Sequence, residues 1–266
     1  MTILQAIVLG IVQGLCEFLP ISSSGHLILV PVIFGWDVQD QSFDIVLHVA
    51  TLVAVVLFFR TTVARIFRAL IHFKQPTVDR NIGFAVIIST IPAAFVGLLF
   101  GNKIESAFRS PQSVAISLIL GAGILFVADR YIHHRHETHP ISKITFRNAM
   151  VVGFAQVLAF VPGMSRSGVT ISAALLQNFS KTAAAEFSFL MSIPIITLAG
   201  ASALKDMVGT GGITYGIPIL IVGFIAAMLS GLFSIWLTLT VIRKVSFIPF
   251  VIYRIIIAGV IIALFV

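Results

Sequence analysis

Residues 162–170 have the sequence Pro162-Gly163-Met164-Ser165-Arg166-Ser167-Gly168-Val169-Thr170, a polar stretch inside an apolar region that covers 147–180. A second apolar region, 1–35, is interrupted by Pro20-Ile21-Ser22-Ser23-Ser24-Gly25. Because proline and Ser/Gly-rich stretches break helices, each region is predicted to form two half-helices. Non-helical backbone at membrane depth must be buried in protein or line a wet cavity. The two breaks therefore predict a site.

The composition indicates a membrane protein. Of the 266 residues, 58% are hydrophobic and 10% are charged, whereas a soluble domain has about 25% charged residues. A membrane-spanning helix needs roughly 20 residues, and six further runs approach that length: 43–59, 82–100, 111–128, 187–204, 215–242 and 248–266. We predict an all-α polytopic membrane protein with six transmembrane helices and two broken re-entrant helix hairpins, forming a single membrane domain over 1–266.

The two broken regions resemble each other at a constant offset of 143 residues. The matching pairs are Gly10/Gly153, Gln13/Gln156, Leu15/Leu158, Ser22/Ser165, Ser24/Ser167 and Gly25/Gly168. Each half then has one broken hairpin followed by three spanning helices. Because three is an odd number of crossings, the halves are predicted to form an inverted-topology repeat over about 1–140 and 141–266.

Basic residues predict the orientation, since cytoplasmic loops collect Lys and Arg. With the first hairpin and both termini outside, inner loops hold Arg60, Arg65, Arg68, Lys74, Arg80, Arg130, Arg135, Lys143, Arg147, Lys181, Arg243 and Lys244. Outer loops hold Lys103, Arg109 and Lys205. The net charge of +7 thus reflects topology, and nucleic acid is not an expected partner. A solvated linker is favoured over a metal site for His133, His134, His136 and His139.

Glu17 is an anomaly, because a carboxylate in a membrane helix costs roughly 2.5–3.5 kcal/mol on translocon scales. Gln13 lies four residues earlier, so both side chains share one helical face and point into the same cavity. We favour a functional role. The structural alternative is an interhelical hydrogen bond that holds the bundle together.

Arg166 is the second anomaly, since its position in the break lies far from any membrane–water interface that the side chain could reach. A guanidinium suits bidentate binding of phosphate. Hydroxyls from Ser165, Ser167 and Thr170, with the N-terminal amides of the next half-helix, would add donors around an anion. The structural alternative is a simple ion pair with Glu17.

Histidine at position 26 lies four residues after Ser22, at the start of a half-helix. An imidazole accepts or donates protons near neutral pH, so His26 is a candidate acid or base. For Asp44, His48 and Arg254 we favour structural roles, with lipid head-group binding as the alternative for Arg254.

Inverted repeats would bring the two breaks together near the middle of the bilayer. One side would then contribute Glu17, Ser22, Ser23 and His26, and the other Ser165, Arg166, Ser167 and Thr170. This set is typical of phosphoryl transfer. Arg166 and the amides would neutralise phosphate charge, a serine or an activated water would attack phosphorus, and a carboxylate or imidazole would move the proton.

These motifs resemble those of the undecaprenyl-diphosphate phosphatase family, also called the bacitracin-resistance family, over essentially the whole chain. The acidic motif is present as Gln13-Gly14-Leu15-Cys16-Glu17, the Ser-Ser-Gly-His segment as Ser23-Ser24-Gly25-His26, and the third motif as 162–170. The glutamine at position 13 makes Glu17 the one carboxylate of the first motif. A mechanism that needs two acids there is therefore disfavoured.

The resemblance implies hydrolysis of undecaprenyl diphosphate to undecaprenyl phosphate and inorganic phosphate at the outer side of a bacterial inner membrane. This reaction recycles the carrier lipid for peptidoglycan synthesis, and the resemblance also implies bacitracin resistance. Expected partners are the polyprenyl diphosphate substrate, membrane lipids and, as an open alternative, a second copy of the chain in a homodimer. A translocase of a phosphorylated polyprenyl lipid is the alternative function, because transporters also place sites at broken helices.

The resemblance also implies roles for individual residues. Arg166 is the expected phosphate clamp, Glu17 the acid/base or metal ligand, His26 the proton carrier and Ser23 the candidate nucleophile. Substrate contacts are expected from Gln13, Ser22, Ser24, Gly163, Ser165, Ser167 and Thr170. A divalent cation, Mg²⁺ or Ca²⁺, is expected as cofactor, held by Glu17 and substrate oxygens.

Overall fold

A computed structural model describes residues 1–72, 76–108, 110–135, 138–210 and 215–265, apart from the side chains of 102, 105 and 203–210. Four residues named above for their charge or as histidines, Lys74, Arg109, His136 and the Lys205 side chain, lie outside this description.

The described residues form eleven α-helices and two short 3-10 helices. The first half contains α1 (Ile3–Phe18), α2 (Ser23–Ile33), α3 (Gln41–Phe58), α4 (Arg60–Ile71), α5 (Val78–Ala107) and α6 (Pro111–His133). The second contains α7 (Phe146–Val157), α8 (Arg166–Leu175), α9 (Lys181–Thr210), α10 (Ile217–Val241) and α11 (Ile248–Phe265), with 3-10 helices at Ile141–Lys143 and Leu158–Phe160.

Six of these helices are long and apolar enough to cross a membrane: α3, α5, α6, α9, α10 and α11. The predicted all-α fold with six transmembrane helices is confirmed, and the chain is a multi-pass membrane protein. Short helices flank each predicted break, α1 and α2 around the first and α7 and α8 around the second, so both interruptions are also present. The re-entrant course of the two hairpins and the division into repeats remain predictions.

Both breaks end in the same backbone conformation. Ser22 precedes α2 with φ 76° and ψ 96°, and Ser165 precedes α8 with φ 67° and ψ 111°. Few residues other than glycine adopt a positive φ. In each break the serine hydroxyl also contacts the hydroxyl two residues later, Ser24 at 3.3 Å and Ser167 at 3.2 Å. The 143-residue offset therefore relates conformation as well as sequence.

Helix packing crosses between the two halves. The broken helix α1 packs mainly on α10, and its counterpart α7 packs on α5. In the same way α3 contacts α10 and α9 contacts α5, while α6 packs against α11. Since α5 and α10 occupy corresponding positions along the two halves, the helix that precedes each break packs against a helix of the other half.

Glycines allow the broken helices to approach their partners closely, as small residues do in membrane bundles. A Cβ on Gly10 would lie 2.5 Å from the carbonyl oxygen of Gly223 in α10. At the matching position, a Cβ on Gly153 would lie 2.5 Å from the carbonyl oxygen of Ser89 in α5. A larger residue at either position would push the helices apart.

Arg254 of α11 is fully buried and bonds to backbone carbonyls. Its guanidinium donates to Pro20 in the first break at 3.4 Å, and to Gly163 and Met164 in the second break, both at 3.0 Å. Nε donates to Leu118 of α6 at 3.2 Å. The predicted structural role of Arg254 agrees with these contacts, because one side chain ties both breaks to α6 and α11.

Helix α4 departs from the sequence analysis, which placed its basic residues in an inner loop. Phe67 and Ile71 are exposed along the helix, which also carries Arg60, Arg65 and Arg68. The segment was missed because its apolar positions follow helical periodicity too briefly to resemble a span. Its amphipathic composition is typical of a helix lying at a membrane surface.

Candidate active site

The two breaks lie side by side in the folded chain. Ser167 Oγ donates a hydrogen bond to the Leu19 carbonyl at 3.0 Å, in addition to the contacts of Arg254 with both segments. Residues 20–22 of the first break and 162–165 of the second are buried, as are nine of the ten residues of α8. Non-helical backbone is thus enclosed by protein, as membrane depth requires.

Glu17 and Arg166 meet where the breaks touch. Arg166 Nη2 lies 2.7 Å from Glu17 Oε1, and the two side chains are 13% and 6% exposed, respectively. Arg166 Nη1 donates to the Ser188 carbonyl of α9 at 2.9 Å, which fixes the guanidinium plane. The structural alternative, an ion pair, is therefore present, but the pair lies on a cavity wall.

The other Glu17 oxygen is also surrounded by donors. Oε2 accepts hydrogen bonds from Ser23 Oγ at 2.9 Å and from Gln13 Nε2 at 3.1 Å. His48 Nε2 lies 3.7 Å from the same oxygen. The α1 and α2 half-helices, α3 and α8 thus all contribute groups around one carboxylate.

A cavity of about 380 Å³ opens at this carboxylate. Its polar lining comprises Glu17, Ser22, Ser23, Ser24, Gln41, Asp44, His48, Gln156, Ser165 and Arg166. Its apolar lining includes Ile28, Ile45, Phe160, Ile195 and Ile196. A polar end with a guanidinium and an apolar remainder suit an amphiphilic anion.

Not every predicted site residue reaches the cavity. Gln13 acts behind Glu17, and Thr170 is buried, with its hydroxyl 2.8 Å from the Arg166 carbonyl and 2.7 Å from Ser188 Oγ. Gly163 has φ 94° and presents its carbonyl to Arg254. Thr170 and Gly163, together with Ser167, shape the second break, and the predicted substrate contacts of these three residues and of Gln13 remain predictions.

His26 is held away from the cavity lining. It is 6% exposed, and its Nδ1 lies 2.7 Å from the Ser22 carbonyl. Its Nε2 lies 2.7 Å from the Tyr253 hydroxyl, and the two rings stack with an interplanar angle of 7°. Both ring nitrogens are therefore engaged. The contact to Ser22 stabilises the positive-φ residue next to Ser23.

Sequence reasoning assigned Asp44 and His48 to structural roles, whereas the structure places both on the cavity wall. Gln156 also lines the cavity as the counterpart of Gln13. The 143-residue repeat contained a signal for Gln156. For Asp44 and His48 the signal was their four-residue spacing, which places both side chains on one face of α3. Spacing alone does not show whether that face points into the cavity.

The oxygen donors of this cavity suit a hard cation. Among the described residues, no group of three or more His, Cys, Asp or Glu side chains is arranged so that it could hold a metal ion by itself. Mg²⁺ commonly binds one or two carboxylates together with substrate phosphates, without an all-protein cage. Glu17, with hydroxyls beside it, fits an ion that arrives with a diphosphate.

Fold and site define a class: a polytopic membrane protein with a polar cavity between two broken helices, lined by Arg166 and by the carboxylates Glu17 and Asp44. The chain matches the model of the family described as bacitracin resistance protein BacA over residues 6–260. The chain belongs to this family.

Several similar proteins align with this chain over nearly their whole length. The chain is 42% identical over 257 residues to a protein named undecaprenyl-diphosphatase from Chromohalobacter salexigens, covering 95% of each chain. It is 40% identical over 268 residues to undecaprenyl-diphosphatase from Thioalkalivibrio sulfidiphilus, covering 100% of each. A third relative of that name, from Campylobacter curvus, is 39% identical over 269 residues.

Proposed function

We propose that this protein hydrolyses undecaprenyl diphosphate to undecaprenyl phosphate and inorganic phosphate. The observation that carries the proposal is the buried contact of Glu17 with Arg166 and Ser23 on the wall of a cavity that also has an apolar lining. The names of the relatives support the same substrate. The apolar lining would take the first prenyl units and the polar end the diphosphate.

Ser23 is the proposed nucleophile. Its hydroxyl donates to Glu17 Oε2 at 2.9 Å, so the carboxylate is in place to accept the proton as Ser23 Oγ attacks the terminal phosphorus. The bond from phosphorus to the bridging oxygen breaks, and undecaprenyl phosphate leaves with the electron pair. Water then attacks the phosphoserine, the bond from phosphorus to Ser23 Oγ breaks, and Glu17 returns its proton to Ser23 Oγ as inorganic phosphate leaves. An activated water that attacks directly is the alternative.

Arg166 is the proposed phosphate clamp. Its contacts to Glu17 and Ser188 orient the guanidinium before substrate binds, so little reorganisation is needed as charge develops on phosphorus. A divalent cation held by Glu17 would neutralise further phosphate charge. If His26 carries a proton, as predicted, it would do so through Nε2 and Tyr253. Its contact with the Ser22 carbonyl instead supports a role in positioning the neighbouring Ser23.

We further propose that the protein resides in a bacterial inner membrane with the cavity open to the outer side. The excess of basic residues in the predicted inner loops supports this orientation. In that setting the reaction would recycle the lipid carrier for peptidoglycan synthesis and would confer resistance to bacitracin.

Phosphate release by the purified protein in detergent tests the proposal. The wild type should release inorganic phosphate from undecaprenyl diphosphate, and Glu17→Ala should abolish release while the protein still inserts. Ser23→Ala should lower release at least about a hundredfold, with Ser110→Ala as an exposed serine control. Substantial turnover by Ser23→Ala would establish direct attack by water instead.

The same assay separates an enzyme from a translocase, the alternative that broken helices also support. An enzyme needs no sealed compartment, so detergent micelles suffice. Absence of phosphate release in detergent, together with movement of a phosphorylated polyprenyl lipid across sealed vesicles, would reject hydrolysis.

A further inference from the structure

A second cation-capable side chain faces the carboxylate of Glu17 besides Arg166. His48 of α3 lines the cavity, and its side chain is 36% exposed. His26, in contrast, is 6% exposed, with both ring nitrogens engaged. Of these two imidazoles, His48 is therefore the one that a ligand in the cavity can reach.

The orientation of the His48 ring is fixed from within its own helix. Nδ1 lies 2.7 Å from the Asp44 carbonyl oxygen, one turn earlier. A carbonyl oxygen only accepts hydrogen bonds, so Nδ1 carries the proton of this contact. Nε2 is consequently the nitrogen directed at the cavity, where it lies 3.7 Å from Glu17 Oε2.

The surroundings of Nε2 select a donor role. Glu17 and Asp44 both line this part of the cavity, and a carboxylate oxygen only accepts. Because Nδ1 already carries a proton, Nε2 donates to Glu17 or to a phosphate oxygen only when the ring is an imidazolium. Arg166 approaches the opposite carboxylate oxygen, so His48 and Arg166 flank Glu17 from two sides.

We propose that His48 is a further substrate-contacting residue, whose Nε2 donates a hydrogen bond to the terminal phosphate of the bound diphosphate. This inference rests on the proposed function. Arg166 would hold the phosphate from α8 and His48 from α3, with Ser23 between them beside Glu17. Because α3 packs against both α9 and α10, the contact would connect the spanning bundle with the two breaks.

Two substitutions separate this role from a merely structural one. The side-chain amide of asparagine can reproduce Nδ1, and so keep the bond to the Asp44 carbonyl, but it is too short to replace Nε2. The amide nitrogen of glutamine lies as many bonds from Cβ as Nε2 does. His48→Asn should therefore lose the substrate contact, whereas His48→Gln should recover most of it.

The experiment measures the KM for phosphate release from farnesyl diphosphate in detergent, and the Kd of the same probe from thermal stabilisation. We expect His48→Asn to raise both the KM and the Kd about tenfold or more, because one charge-assisted hydrogen bond is lost, and to leave kcat within about threefold of wild type. His48→Gln should stay within about threefold in KM. His133→Asn, at an exposed site at the end of α6, is the matched control.

Unchanged KM and Kd in His48→Asn would overturn the proposal, and so would a loss in His48→Gln that His48→Asn does not share. The Kd keeps the two proposals separable. A wild type that binds farnesyl diphosphate without releasing phosphate would reject the hydrolase, while a weaker Kd in His48→Asn would still support the contact.

Discussion

Replacing Arg166 by lysine tests whether the site needs a guanidinium or only a positive charge. In the structure two different nitrogens of Arg166 bind two partners, Glu17 at 2.7 Å and the Ser188 carbonyl at 2.9 Å. A single ammonium group cannot keep this planar, two-sided arrangement. Arg166→Lys therefore retains the charge and loses the orientation of the clamp.

The expected magnitude follows from the lost contact. A hydrogen bond to a charged group is worth about 1.5–3 kcal/mol, which corresponds to about a ten- to hundredfold loss in kcat/KM. Arg166→Ala goes further, because it leaves the buried Glu17 carboxylate without its cation. Breaking a buried ion pair in this way lowers stability by about 3–5 kcal/mol.

Initial rates of phosphate release and thermal unfolding in the same detergent measure both effects. Arg65→Lys is the matched control, since its ion pair with Asp79 is half exposed and an exposed pair contributes little. Arg166→Lys with wild-type kcat/KM would refute the requirement for a guanidinium. An Arg166→Ala protein that unfolds at the wild-type temperature would refute the energetic importance of the pair.

Three further predictions concern the frame and the cofactor. Arg254→Met should lower stability by at least about 3 kcal/mol and abolish phosphate release, because buried carbonyls in both breaks lose their donor; wild-type thermal unfolding would contradict this. Gly14→Ala should destabilise by about 1–3 kcal/mol in the same measurement, since its Cβ would clash with Ser230 and Ala227 of α10, whereas Gly123→Ala, with open space around it, should not destabilise. EDTA should reduce release at least about tenfold and added Mg²⁺ or Ca²⁺ should restore it, and full activity in chelator would remove the cation from the proposal.

The positions of the spans and breaks were predictable because they depend on composition. Every predicted span lies largely within an observed helix, yet some helices extend well beyond the span, as α9 does, which begins at Lys181 before the predicted 187–204. Polar residues at a membrane boundary continue a helix without adding hydropathy. Apolar runs therefore locate the crossing better than they locate the helix ends.

Part of the site was predictable from the cost of placing charge in a membrane. This reasoning identified Glu17 and Arg166, and the structure places Arg166 Nη2 2.7 Å from Glu17 Oε1. It did not identify the cavity-facing role of His48, because His48 stands on a spanning helix whose rotation is set by packing against α9 and α10. Nor did it reveal that Tyr253 and the Ser22 carbonyl engage both nitrogens of His26.

The contacts of Arg254 carry a consequence for the order of events during synthesis. The side chain that secures the Pro20 carbonyl is translated 234 residues after it, a delay on the order of 10 to 50 s at about 5–20 residues per second. Until α11 has entered the bilayer, the carbonyls of both interruptions must rely on water or on the insertion machinery. A nascent chain therefore cannot form an active cavity before α11 is inserted. Catalytic activity would indicate that insertion has reached α11.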